Sequence, residues 1–140
     1  MPVKVFLDTN IWLYALIQSD EAKHDLALQL IAEHGDSLYS SVQVANEISV
    51  NLMRKAGKDH SFIQAFLADF MASYPVWAQE PEDLLTAAGL RVDYHFSYWD
   101  SLIVAAALRA GCALLYSEDM QHNLSVHGHL RIVNPFKASH

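Results

Sequence analysis

A chain of 140 residues has the length of one domain and is too short for two ordinary ones. With 52% hydrophobic and 18% charged residues it is no disordered tail, and a net charge of −7 excludes a protein that coats nucleic acid through a basic face alone. The single cysteine, Cys112, excludes an internal disulfide framework and a cysteine-rich zinc site. No stretch reads as a signal peptide or is long enough to span a bilayer. The expectation is a cytoplasmic protein in a reducing compartment, without membrane contact.

Val3–Leu7 alternates and continues as a short apolar run, the pattern of a buried strand. Asp8-Thr9-Asn10 supplies helix-start residues for the apolar segment Ile11–Ile17. Glu21–His34 carries Leu26, Leu30 and Ile31 at helical spacing and is closed by Gly35. Ser37–Ser40 is a short strand. Ser41–Ala56 reads as a helix with Val44, Ala45, Ile48 and Leu52 on one face. Asp59 caps a further helix carrying Phe62, Phe66, Leu67 and Phe70. Pro75–Ala78 is a brief strand and Glu80–Tyr94 a helix. Ser97 and Asp100 have capping-box spacing ahead of the alanine-rich helix Ser101–Ala110. Cys112–Tyr116 and Leu130–Val133 close the chain as strands. Strands alternating with helices predict βαβ units and a doubly wound, parallel α/β sheet.

In such sheets ligands bind beyond the carboxyl ends of the strands. Asp8 follows the first strand at once, and Asp119 follows Cys112–Tyr116 by a few residues. Both are expected on that edge. Asp100 reaches it only if its helix start folds back, and Glu47 lies in the helix after Ser37–Ser40. Carboxylates gathered there repel one another unless a hard cation sits between them; Mg²⁺ or Mn²⁺ held this way serves phosphodiester hydrolysis. It would also let an acidic chain hold a polyanion. Each residue has a plain structural reading as well. Asp8 and Asp100 suit helix caps, Asp119 a turn in which Glu118 could act instead, and Glu47 a solvated helix charge near Asn51 and Arg54.

The segments Val5-Phe6-Leu7-Asp8-Thr9-Asn10, Asn46-Glu47, Tyr98-Trp99-Asp100 with Ala105-Ala106-Ala107, and Tyr116-Ser117-Glu118-Asp119 resemble a PIN domain. More narrowly, they resemble the VapC-type toxins of toxin–antitoxin pairs. The resemblance runs to Val133-Asn134-Pro135-Phe136 and implies one three-layer PIN-like domain over 1–140, with helices on both faces of a mostly parallel sheet of four to five strands. It implies a metal-dependent endoribonuclease that uses Mg²⁺ or Mn²⁺. The acidic cluster would be Asp8, Glu47, Asp100 and Asp119, with Asp8, Asp100 and Asp119 as metal ligands. Thr9, Asn10 and Ser117 would orient the carboxylates. The implied partners are an RNA substrate, a cognate antitoxin and a second copy of the chain. A stand-alone RNA-processing nuclease and a catalytically silent RNA- or protein-binding module are the alternatives. One departure is Asn123, where similar sequences often place Gly; Asn tolerates the left-handed conformation.

Eight histidines, among them His122, His127 and His129, lack a zinc-binding pattern and read as solvated loop residues. A dehalogenase-type phosphatase would need Asp two residues after Asp8, where Asn10 stands. A receiver domain would need a phospho-accepting Asp after Pro75–Ala78, where Gln79 and Glu80 stand. Trp99 is expected to pack beside the alanine-rich helix. Trp12 and Tyr14 are expected to be more open, on a helix apolar nearly all round that faces a partner.

Overall fold

The computed structural model describes residues 3–137. In chain order it runs β1 (Val5–Leu7), α1 (Thr9–Leu16), α2 (Glu21–His34), β2 (Leu38–Ser41), α3 (Val42–Ala56), α4 (His60–Ser73) and β3 (Val76–Trp77). It continues through α5 (Pro81–Asp93), α6 (Tyr98–Arg109), β4 (Leu114–Tyr116), β5 (Leu124–Val126) and β6 (Leu130–Val133). The expected helices form, because each begins at a residue suited to stop the chain from extending further back. Asp8, Asp20, Ser41, Asp59 and Ser97 each accept a backbone N–H of the first turn.

The strands lie in the order β3-β2-β1-β4-β6-β5, all parallel except β5, which runs antiparallel to β6. From β1 the chain winds outward through β2 and β3, then returns to the other side of β1 at β4. Right-handed crossovers therefore place α1–α4 on one face of the sheet and α5–α6 on the other. The reversal between β1 and β4 is a topological switch point, where the crossovers part and leave a crevice.

Val5, Phe6 and Leu7 are wholly buried, as a central strand covered on both faces requires. They share one core with Leu38, Ile48, Leu90, Leu115 and Ile132. The α5–α6 hairpin is pinned at its far end by Arg109, whose Nε donates to the buried Asp83 at 2.9 Å. Arg91 Nη1 ties the near end to Ser101 Oγ at 2.6 Å.

Two features correct the sequence expectation. The sheet has six strands rather than four to five, because Leu124–Val126 forms the edge strand β5. Three residues are too few for alternation to register. The turn that pairs it with β6 uses His127 (φ 53°) and Gly128 (φ 71°), where Asn-Gly would have announced a hairpin. Asn123, just before β5, does adopt a left-handed φ of 65°. The second correction concerns the tryptophans. Trp12 is buried against Phe70 and Tyr74, with ring centroids 5.0 and 5.1 Å away, because α4 covers this side of α1. Trp99 is instead 62% exposed: the first turn of α6 projects beyond the packed part of the hairpin.

Candidate active site

The register Leu7↔Tyr116 sets the ends of β1 and β4 side by side at the switch point. Asp8 N–H continues the ladder by donating to Tyr116 O at 2.9 Å, so the next residue on each strand meets its counterpart. Ser117 Oγ donates to Asp8 Oδ2 at 2.8 Å, and Thr9 N–H donates to Asp8 Oδ1 at 2.8 Å. The carboxylate is 5% exposed, and Ser117 is fully buried beside it.

Three other carboxylates surround this point. Thr9 Oγ1 donates to Glu47 Oε1 at 2.5 Å and draws α3 to the mouth of α1. Asn10 Nδ2 donates to Asp119 Oδ2 at 2.6 Å. Asp100 sits in the first turn of α6, whose start is fixed when Ser97 Oγ accepts Asp100 N–H at 3.1 Å. Asp100 and Asp119 line one small cavity with His95 and Gln121. The helix start that had to fold back does so.

Burial pushes the Asp8 carboxyl up to about 7, and the charges of Asp100 and Glu47 push the same way against hydrogen bonds from Ser117 and Thr9. The Asp100 carboxyl is also raised, first by burial and then by Asp119 and Glu47, with Ser97 opposing. Asp8 and Asp100 thus each lie close enough to other carboxylates of the set for their own charge to be disfavoured. Among the described residues, however, no three His, Cys, Asp or Glu side chains stand close enough to grip one ion directly. The two observations agree if a cation contacts one or two carboxylates and keeps several waters, which is how Mg²⁺ is usually held. The donors are all hard oxygens, so the site fits Mg²⁺ or Mn²⁺ and not a soft metal.

Glu118 does not join the cluster. It accepts Tyr14 Oη at 2.6 Å and pairs with Lys23 Nζ at 2.5 Å. Burial alone would raise its carboxyl, but these two donors hold it below the ordinary range. His122 is also committed elsewhere, since its Nδ1 accepts Asn134 N–H at 2.9 Å, while His127 and His129 are exposed. The residue sequence reasoning missed is Gln43. Its Nε2 bridges Glu47 Oε2 at 3.5 Å and Trp99 O at 3.2 Å, joining α3 to α6 at the site. Its position one turn before Glu47 was the available signal.

Ser117 carries a testable structural load, because its Oγ also accepts Met120 N–H at 3.2 Å. Ser117→Ala removes a buried donor and acceptor together. It is expected to cost about 1–2 kcal/mol, read as a lower denaturant midpoint with unchanged slope.

A doubly wound sheet with carboxylates gathered at its switch point defines an α/β protein with an acidic ligand crevice. Comparison with known families makes this specific: the chain belongs to the PIN domain family, whose model matches residues 5–124. Among solved structures it is similar to the Mycobacterium tuberculosis toxin VapC20, described as cleaving the sarcin–ricin loop. That match has a TM-score of 0.68 at 23% identity over 83% of this chain and 90% of that one. A toxin–antitoxin complex from Klebsiella pneumoniae matches with a TM-score of 0.72 at 16% identity, covering 96% and 100%. The DNA-bound VapBC of Salmonella typhimurium matches with a TM-score of 0.67 at 14% identity, covering 94% and 97%. No curated protein matches the chain by sequence. Among the described residues no helix is long and apolar enough to cross a membrane.

Proposed function

We propose that this chain is a Mg²⁺- or Mn²⁺-dependent endoribonuclease that acts as the toxin of a toxin–antitoxin pair, as one domain over 1–140. The observation that carries the reading is the convergence of Asp8, Glu47, Asp100 and Asp119 on one switch-point crevice, where the carboxyls of Asp8 and Asp100 are raised by burial and by the charges of the others. Membership of the PIN family supports it, and so do the VapC20 toxin and the toxin–antitoxin complexes that share the fold.

Asp8, Asp100 and Asp119 would hold the ion, one or two of them directly and the rest through its bound waters, with Glu47 completing the acidic set. Bound there, the metal supplies an activated water and neutralises the phosphate charge that develops as a P–O bond is broken. The polar residues act by aiming the carboxylates. Ser117 and Thr9 N–H fix both Asp8 oxygens, Thr9 Oγ1 fixes Glu47, and Asn10 fixes Asp119. Such orientation preserves the negative field at the site before substrate arrives. Ser117 Oγ is engaged by Asp8 and Met120, so the serine at the site serves a carboxylate and not a nucleophilic pair with histidine.

The purified protein is expected to cleave single-stranded RNA with Mn²⁺ or Mg²⁺ and to stop when EDTA is added. Its induced expression is expected to arrest growth, and co-expression of the small protein encoded beside it to restore growth through direct binding. A second copy of the chain is the expected assembly partner. Cleavage without growth arrest would instead identify a stand-alone processing nuclease. RNA binding without cleavage under any divalent ion would identify a silent module.

A further inference from the structure

Trp99 and Tyr98 begin α6 with 62% and 50% of their surface exposed, immediately before Asp100. An isolated exposed aromatic is ordinary, but these two rings are braced by their neighbours. Arg91 lies 4.5 Å from the Tyr98 ring centroid, and the Tyr98 and Trp99 rings meet edge to face at 5.0 Å. Gln43 Nε2 donates to Trp99 O and so fixes the backbone beneath the indole. Trp99 lines a cavity of about 420 Å³ together with Val42, Gln43, Asn46, Glu47 and Gln79. That volume lies within the range of small-ligand pockets.

The cavity is continuous with the acidic cluster, because Glu47 belongs to both. Its chemistry differs from that of the cluster: a flat π surface beside side-chain amides. The amide group of Gln43 donates to Glu47 Oε2 and Trp99 O, which leaves its carbonyl oxygen without a partner among the described residues. Asn46 and Gln79 are exposed and offer donors and acceptors together. Such edges match the edges of a nucleobase, and base stacking on an aromatic requires no positive charge. In a chain of net charge −7, stacking gives an RNA a foothold where phosphate contacts beside the carboxylates would be repelled.

We propose that the cavity between the first turns of α3 and α6 is a nucleobase subsite. An unpaired base flanking the bond to be cleaved stacks on Trp99 and presents its edge to Gln43, Asn46 and Gln79. The proposal deepens the ribonuclease reading and rests on it for the identity of the polymer.

The test is fluorescence anisotropy in EDTA at moderate salt, which screens the repulsion of phosphates by the carboxylates, with labelled 12-nucleotide homopolymers of A, C, G and U and a 12-unit abasic ribose-phosphate strand. Trp99→Ala is expected to weaken binding of the base-bearing strands by roughly 5- to 100-fold and to leave the abasic strand unaffected. Trp99→Phe should recover most of the loss. The subsite is overturned if wild type binds none of the homopolymers. Equal loss for base-bearing and abasic strands, or no loss for either, overturns it as well. A change in sedimentation of Trp99→Ala with RNA affinity intact would make this face a protein interface and also overturn the proposal. Because binding is read without metal, failure of Mn²⁺-dependent cleavage would defeat the nuclease reading while leaving the subsite standing.

Discussion

Asp100→Asn is expected to lower RNA cleavage by on the order of 100- to 1000-fold, with the fold unchanged. The substitution removes one negative charge and almost no volume. The hydrogen bond that starts α6 runs from the backbone N–H of residue 100 to Ser97 Oγ, so the helix cap survives it. What is lost is the charge that Asp8 feels from α6 and the charge shared with Asp119 across their cavity. Single-turnover cleavage at saturating Mn²⁺, alongside circular dichroism, makes the measurement. Full activity in a folded Asp100→Asn protein would remove Asp100 from the site and return it to its capping role. Loss of activity together with loss of helical signal would point the same way.

The second large effect is on stability and appears in metal-free protein. Asp8 has an ordinary carboxyl value of 3.8 that burial raises to about 7 in the folded chain. Between those values the folded state carries a proton that the unfolded chain has released. Stability contributed by protonated Asp8 is therefore fully present below about pH 4 and is lost as the pH rises to about 7. The full span corresponds to about 4 kcal/mol. Asp8→Asn should flatten this part of the pH profile. At pH 7.5 and above the variant should be the more stable protein by roughly 2 kcal/mol, since the charge penalty exceeds the ~1–2 kcal/mol hydrogen bond from Ser117 that Asn disturbs. That is a rise of roughly 6–8 °C in melting temperature. At pH 4 the order should reverse or vanish. Equal pH profiles for the two proteins in EDTA would show that Asp8 ionises without strain, and the account of a charge-crowded crevice would fall. Metal acts on wild type in the opposite sense, because an ion bound only by the folded state stabilises it by mass action.

The helices and four of the carboxylate-bearing segments were legible in the residues themselves because local rules govern them. Asp59 ahead of an apolar-periodic run, Ser41 ahead of another and Gly57 behind it announce helix ends through backbone hydrogen bonding within one turn. Asp8 and Asp119 could be placed on one edge because a parallel sheet aligns the carboxyl ends of its strands, whatever their order. The resemblance to PIN domains added the set as a whole.

Other features depend on groups far apart in the chain. Whether Asp100 returned to the sheet edge was decided by the α5–α6 hairpin, pinned at both ends by Arg109–Asp83 and Arg91–Ser101. Glu47 looked like a solvated helix charge, and it is Thr9, 38 residues away, that ties it into the crevice. Glu118 and Asp119 are neighbours with opposite fates: Tyr14 and Lys23 on α1 and α2 claim the first, and Asn10 the second. The burial of Trp12 and the exposure of Trp99 reverse the expectation, because an indole is buried or exposed by what packs on it from elsewhere. Strand β5 is stabilised by pairing with β6 rather than by its own three residues. By itself the sequence determined the helices, the parallel run of the five expected strands and the inventory of carboxylates, through short-range backbone and side-chain chemistry. Which carboxylates share a crevice, how far each is desolvated and which aromatic faces water were decided only by tertiary packing, where desolvation and Coulomb repulsion act through space.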